Sequence, residues 1–332
     1  MKNLRLAETD KRYELFMTPE LKAVAKIEAE LIKTARHYFE ENEFTEVLTP
    51  HITRATGSCE NVNTVFGVDY FGSQGYLAQT GQLYLESLVP TLGNVFCVGP
   101  SFRAEPDVDN RHLVEFPLIE MEIPGDFEEM IVNIEKLLCR MLAGVLINRQ
   151  EELDFLEIDK KRLLKVKKPF KRITYDEAVE ILAEEDVKWG DDLKSKHEKI
   201  LAERLGNKPL FITHFPVEIK FFNMKTNREN PKVVNSTDLI LPGSGEAAGA
   251  AEREYEYEAL LEKLKRSTML KQLEKRGGSI KDFDWYLNFY KEYGKMPHAG
   301  FGMGLNRVTQ FVLGWDDIRA TTVFPLNRAS LM

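Results

Sequence analysis

The chain has 332 residues, with 45 Lys plus Arg against 53 Asp plus Glu, a formal charge of −8. A hydrophobic share of 43% and a charged share of 30% describe a folded chain of one or two domains and exclude a disordered one. No apolar run reaches the roughly 18 residues of a membrane helix, the N-terminus lacks a signal-peptide core, and the acidic balance argues against a broad basic surface for nucleic acid; a cytoplasmic protein with no membrane contact is expected.

In chain order, Thr18-Pro19-Glu20 opens a helix, with proline in the first turn and apolar residues Leu21, Val24, Ile27, Leu31, Ala35 and Phe39 at helical spacing. Residues 44–50 read as a short strand stopped by Pro50, and 64–77 as a glycine-broken hairpin. Residues 95–99, 118–123 and 233–241 are further strands. Between them, 126–206 reads as a mostly helical, charged excursion outside a sheet. A helical run over 252–273 returns to the core. Then HAGFGMGLNRVTQFVLG passes from a glycine-rich strand into a helix near Leu305. One antiparallel-rich α+β domain with a helical insertion fits this order.

Three stretches carry candidate chemistry. In the first, Arg103 and Glu105 precede a polar loop, and Arg111, His112 and Phe116 follow it. Neighbouring strands would bring Arg103 beside Phe116, a guanidinium for a phosphate and a ring for a base; a surface hairpin with ion pairs is the plainer alternative. In the second, Gly300, Gly302 and Gly304 clear one strand face for a flat ligand and Arg307 follows, although sheet-on-helix packing asks for the same residues. In the third, Asp238 and Glu246 lie near adjacent strand ends, where hard Mg²⁺ takes one or two carboxylates and completes its shell with phosphate and water; singly, each acid could be merely solvated. Cys59, Cys97 and Cys139 form no CxxC pair, so a four-thiolate zinc site and a disulfide framework are excluded. No SxxK, GxSxG, HExxH or Walker loop occurs.

The order of these pieces resembles motifs 1, 2 and 3 of class II aminoacyl-tRNA synthetases, and the text LAQTGQLYLE, VGPSFRAE, RHLVEF, FPVEIKFF, DLILPGSGE and PHAGFGMG is most similar to the asparaginyl/aspartyl subgroup. The resemblance spans about residues 12 to 325. It implies a class II antiparallel sheet flanked by helices, with residues 1–17 an arm or linker, 18–332 the catalytic domain and 126–206 an insertion. It implies ATP and Mg²⁺ as cofactors, a small amino acid as substrate and a homodimer built on motif 1. By the same resemblance, Arg103 and Arg307 are catalytic. Glu105, Arg111, His112, Phe116, Glu246, Gly302 and Gly304 complete the ATP site, and Asp238 and Glu246 hold the metal. Glu60, Gln79, Gln82, Glu86 and Arg253 bind the amino acid.

Where aspartyl enzymes read QLYK, this chain has Leu85-Glu86, the asparaginyl form, which favours asparagine or a neutral analogue over aspartate; the bland alternative is that Glu86 only pairs with Arg253. Departures from the subgroup pattern are Asn306 for the usual acid before the motif 3 arginine, Leu326 for the arginine of FPR, Asn223 for a common tyrosine, and GAAER over 249–253 for GGSQR. The residues before Arg12 leave no room for the OB-fold anticodon module of the subgroup. The expected function is therefore adenylation of asparagine, aspartate or a close analogue, with transfer to ammonia, an amine or another non-tRNA acceptor. A minimal asparagine–tRNA ligase and a catalytically silent binding subunit are the alternatives, tRNA being a possible but not favoured partner.

Overall fold

The computed structural model describes residues 5–55 and 62–330. Its strands are β1 (Thr45–Glu46), β2 (Ile52–Thr53), β3 (Gly67–Tyr70), β4 (Ser73–Leu77), β5 (Val95–Phe102), β6 (Glu115–Pro124), β7 (Lys171–Thr174), β8 (Leu210–Thr213), β9 (Ser236–Leu241), β10 (Gly245–Glu252) and β11 (His298–Gly304). The longer helices are α1 (Pro19–Glu41), α2 (Gln82–Leu92), α3 (Phe127–Asn148), α4 (Tyr175–Ile181), α5 (Ser195–Arg204), α6 (Tyr257–Arg266), α7 (Thr268–Glu274), α8 (Asp284–Glu292) and α9 (Leu305–Leu313). Eight strands form one sheet in the order β1-β5-β6-β11-β10-β9-β8-β7, and β2-β4-β3 form a smaller one. The large sheet is antiparallel through its middle and parallel only at its two outer pairs, β1 with β5 and β7 with β8. Among the described residues no helix is long and apolar enough to cross a membrane.

Period-two alternation sorts the sheet's two faces. Ile119, Met121 and Ile123 of β6 and Ala299, Phe301 and Met303 of β11 enter the main core beneath α1, α3 and α9. Leu118, Glu120 and Glu122 of β6 point the other way, and in register with them lie Gly304, Gly302 and Gly300 of β11. The glycines are not alike. A Cβ at Gly300 would overlap the Glu122 carboxyl and the Met121 carbonyl, whereas one at Gly302 would meet nothing nearer than Leu118 Cδ2 at 3.5 Å. Gly300 is thus required by packing, and Gly302 leaves space over the sheet.

Helix α1 begins as its sequence asks, with Thr18 Oγ1 accepting from the Leu21 amide and proline at its start. It lies so close to α3 that a Cβ at Gly144 would strike Thr34. Arg12 ties the chain's two ends together: its buried guanidinium donates to the carbonyls of Leu6, Thr322 (2.7 Å) and Val323 (3.0 Å).

Residues 126–206 depart from an excursion outside the sheet at two points. Helix α3 contributes Met130, Ile134, Leu137, Leu138 and Met141 to the main core, and β7 pairs in parallel with β8 at the sheet's edge. The charged text hid a strand only four residues long. The helical run expected over 252–273 also shifts. Glu252 ends β10, and the helix starts at Tyr257 and breaks at Ser267, which caps α7. The GEAAGAAE of β10 has few strand-forming side chains; pairing on both sides by β9 and β11 overrides that preference.

Candidate active site

Over the glycine-cleared face lies a cavity of about 560 Å³, lined by residues of β6, β9, β10, β11, the 103–113 loop and the start of α9. Arg103 follows β5 and Phe116 begins the return on β6; their register, Ser101 opposite Phe116, sets the Arg103 guanidinium 4.9 Å from the ring centroid. Across the cavity Arg307, in the first turn of α9, donates to the carbonyls of Ser244 (2.6 Å) and Arg111 (2.8 Å). Burial, with the nearby charge of Arg111, pulls its pKa down to about 10. Asp109 organises the loop: its carboxylate accepts from the amides of Arg111 (2.8 Å) and His112 (2.9 Å) and meets His112 Nδ1 at 2.8 Å. Glu105, Arg111, His112, Gly302 and Gly304 line the same cavity.

The cavity also holds acids that sequence reasoning did not single out. Glu198 of α5 accepts from the Glu246 amide (3.1 Å) and faces Arg111 at 3.7 Å; burial, then the charge of Glu246, pushes its pKa up to about 7. Asp192 and Glu120 are further wall residues. Lys220 was likewise missed, although it stands inside FPVEIKFF. Its ammonium contacts both oxygens of Asp238, at 2.9 and 3.0 Å, and lies 3.9 Å above the Phe215 ring centroid. Burial pushes the Asp238 pKa up against the pull of Lys220.

The donor set suits a divalent cation. Glu246 Oε1 and Asp238 Oδ1 lie 3.2 and 3.8 Å from the point where a Cβ on Gly249 would stand, so both carboxylates open over one side-chain-free spot. Among the described residues no group of three or more His, Cys, Asp or Glu is arranged to hold a metal unaided. Two hard oxygens, with phosphate and water to complete an octahedron, match Mg²⁺.

At the far end, the expected amino-acid residues separate. Gln82 and Arg253 line the cavity; Gln79 is 1% exposed and donates to Thr64 Oγ1 at 3.2 Å. Glu60 falls outside the described residues. Glu86 is fully buried behind the wall. Its carboxylate accepts from Gln82 (2.6 Å), Asn223 (2.8 Å), Tyr286 and Tyr290 (3.3 Å), with His298 at 3.6 Å. Burial opposes ionisation of Glu86, but His298, Arg253 and Tyr286 together hold its pKa below the ordinary value. Arg253 pairs mainly with Glu122, at 3.0 Å through Nε and 2.7 Å through a terminal nitrogen, and reaches Glu86 only at 3.7 Å. Glu86 therefore reaches this wall through Gln82 and Arg253, and its contact with Arg253 is the longest of those it makes. Leu85 packs with Val89, Val95 and Cys97 and brings no cation to the cavity.

Two departures from the subgroup pattern gain a physical reason here. Asn223 supplies an amide donor to Glu86, and Asn306 donates from its amide to Glu28 on α1 at 2.9 Å, a contact an acid at 306 could not make with an ionised Glu28.

The comparisons with known proteins follow the same lines. The family profile described as "tRNA synthetases class II (D, K and N)" matches residues 5–328. The asparagine–tRNA ligase of Pelotomaculum thermopropionicum is 40% identical over 320 residues, covering 95% of this chain and 71% of the relative. That of Pyrococcus furiosus is 37% identical over 326 residues, covering 97% and 72%. The crystal structure of asparaginyl-tRNA synthetase from Pyrococcus horikoshii complexed with asparaginyl-adenylate superposes with a TM-score of 0.89 at 35% identity, covering 97% of this chain and 72% of that one. The profile match over residues 5–328, with relatives 37–40% identical along nearly the whole length, places the chain in the class II tRNA synthetase family of the D, K and N type, whose members are ATP-dependent, amino-acid-adenylating ligases.

Proposed function

We propose that this chain activates asparagine with ATP, forming an acyl-adenylate and releasing pyrophosphate. The supporting observation is the convergence of Arg103 over Phe116, Arg307, Asp238 and Glu246 on one cavity. In this reading the adenine lies on Phe116 over the Gly302 floor, and Arg103 holds the α-phosphate and the amino acid's carboxyl end. Arg307, with Glu105, Arg111 and His112 around the loop, fixes the rest of the nucleotide. The amino acid's carboxylate oxygen attacks the α-phosphorus in line; a P–O bond forms as the bond to the leaving pyrophosphate breaks. The arginines stabilise the charge that develops, and the cavity aligns the reactants. Asp238 and Glu246 would hold a Mg²⁺ ion, which neutralises phosphate charge when bound.

Asparagine is favoured over aspartate by the charges at the closed end. A ligand carboxylate beside Arg253 would meet an arginine already held by Glu122, with Glu86 at 3.7 Å; a neutral amide adds no further negative charge. A ligand that mismatches this buried wall leaves its polar groups unpaired.

For the acceptor, the relatives' 37–40% identity as asparagine–tRNA ligases supports tRNA. Ammonia, an amine or another non-tRNA acceptor, drawn from the sequence, is the competing reading. A homodimer belongs to the same proposal, using the concave surface where Lys33, Arg36 and His37 of α1 meet Phe44 and Phe96. The deciding assay is ATP–pyrophosphate exchange across the amino acids. Exchange is expected with asparagine and weak or absent with aspartate; no exchange with any amino acid, from folded protein, overturns the proposal. Charging of total tRNA with labelled asparagine, beside amide formation from ammonia, then separates the acceptors.

A further inference from the structure

The cavity's positive charges divide by what they hold. Arg103 lies over Phe116, Arg307 bonds two backbone carbonyls, Arg111 faces Glu198, and Arg253 holds Glu122. Lys220 alone among these five sits on one of the two carboxylates assigned to the metal. Its Nζ takes both oxygens of Asp238, at 2.9 and 3.0 Å, with the two side chains 15% and 12% exposed. An ammonium bonded to both oxygens already neutralises the Asp238 charge and takes a lone pair on each oxygen, so a divalent cation arriving there would meet a repelling charge at contact distance of the same carboxylate. Lysine suits an exchange of this kind, because its point charge rides on a flexible four-carbon stem. The Phe215 ring face under the ammonium, 3.9 Å away, gives it a resting place that does not depend on Asp238.

We propose that Lys220 is a resident stand-in for the divalent cation: it occupies Asp238 in the nucleotide-free protein and must move onto phosphate oxygens before Asp238 can bind metal. Metal and nucleotide then bind as one event. Without nucleotide, displacing Lys220 would leave its ammonium facing a cavity wall with no phosphate to receive it, so free metal binds poorly. With nucleotide, the phosphates supply the anion that Lys220 gives up. Lys220 also offsets the mutual repulsion of Asp238, Glu246 and Asp192, all lining one cavity, while the site waits. This inference rests on the reading of Asp238 and Glu246 as the metal site.

The test is Mn²⁺ binding followed by electron paramagnetic resonance, a readout independent of turnover. Wild-type protein is expected to bind Mn²⁺ weakly alone and tightly with ATP. Lys220→Met is expected to bind Mn²⁺ alone roughly tenfold more tightly or better, since an adjacent competing charge is gone, and to gain less from ATP. Lys220→Arg, which keeps the charge, is expected to stay weak. If thermal melting shows that Lys220→Met does not fold, Lys220→Gln carries the same expectation with a donor still offered to Asp238. Nucleotide-free Mn²⁺ affinity in the neutral variant equal to or below wild type overturns the role of Lys220. Asp238→Asn separates the two layers. Loss of ATP-dependent Mn²⁺ binding supports the metal site, while unchanged binding overturns that reading and the inference with it.

Discussion

Replacing Asn306 by aspartate would set two carboxylates against each other across a contact that is now a 2.9 Å hydrogen bond to Glu28. Burial pushes the Glu28 pKa from 4.5 to about 7, even though Thr322 and Asn306 both pull it down. At pH 8 the variant can ionise both acids, at a Coulomb cost of about 5 kcal/mol near 3 Å and an effective dielectric of 20. Alternatively it can keep one proton, at about 1.4 kcal/mol for each pH unit above the pKa. The second route is cheaper. The retained proton bridges the two carboxylates in place of the lost amide donor, so the net loss is about 2 kcal/mol. At pH 5.5 Glu28 already carries its proton and can donate to the introduced carboxylate, and the loss shrinks below about 1 kcal/mol. The wild-type dependence has the matching sign. The folded-state pKa lies above the unfolded value of 4.5, so this group's contribution is complete below pH 4.5 and is lost as pH rises through about 7. Urea unfolding of wild type, Asn306→Asp and the double variant that adds Glu28→Gln, at both pH values, tests the account, since the glutamine amide restores a donor between the two positions. An equal loss at both pH values, or a double variant no better than the single one, refutes it.

Gly300→Ala should destabilise the fold by at least about 2 kcal/mol and loosen Glu122 from Arg253, while Gly302→Ala should melt near wild type yet raise the KM for ATP; thermal melts and exchange kinetics separate the two. Phe116→Ala should raise the ATP KM about tenfold with a smaller change in kcat, as expected when a ring that stacks on the base is removed. Glu86→Gln turns an amide toward a ring of donors; a stability loss of about 2 kcal/mol and a weaker preference for asparagine over aspartate are expected by denaturation and exchange. Arg307→Lys cannot reproduce two guanidinium bonds to the Ser244 and Arg111 carbonyls, and the exchange rate should fall by about a hundredfold.

The parts of the site that could be read from sequence are those set by local spacing. An Arg–loop–Phe hairpin has to bring Arg103 and Phe116 onto paired strands, and glycines at 300, 302 and 304 have to share a face whichever strands flank them. The GFGMG text, however, could not say which glycine serves packing and which leaves open space over the sheet. That follows from Glu122 standing opposite Gly300, and no spacing within β11 encodes it. Glu86 looked like a contact residue because its neighbours in sequence are. Its saturation comes from Tyr286 and Tyr290, about two hundred residues away on α8. Lys220 and Glu198 were missed for the same reason: a charged residue in a loop or on an exposed-looking helix acquires its meaning only from the strand end it reaches.

The strand order carries a consequence for how the protein is made. The strand that lies between β6 and β10 is β11, the last of the eight to leave the ribosome. Until it emerges, a nascent chain owns two half-sheets with raw inner edges, one bearing Arg103 and Phe116 and the other Asp238 and Glu246. Open edges of this kind invite pairing with other chains. A chain cut between Glu252 and His298 would therefore carry two half-sheets with open inner edges rather than a smaller enzyme.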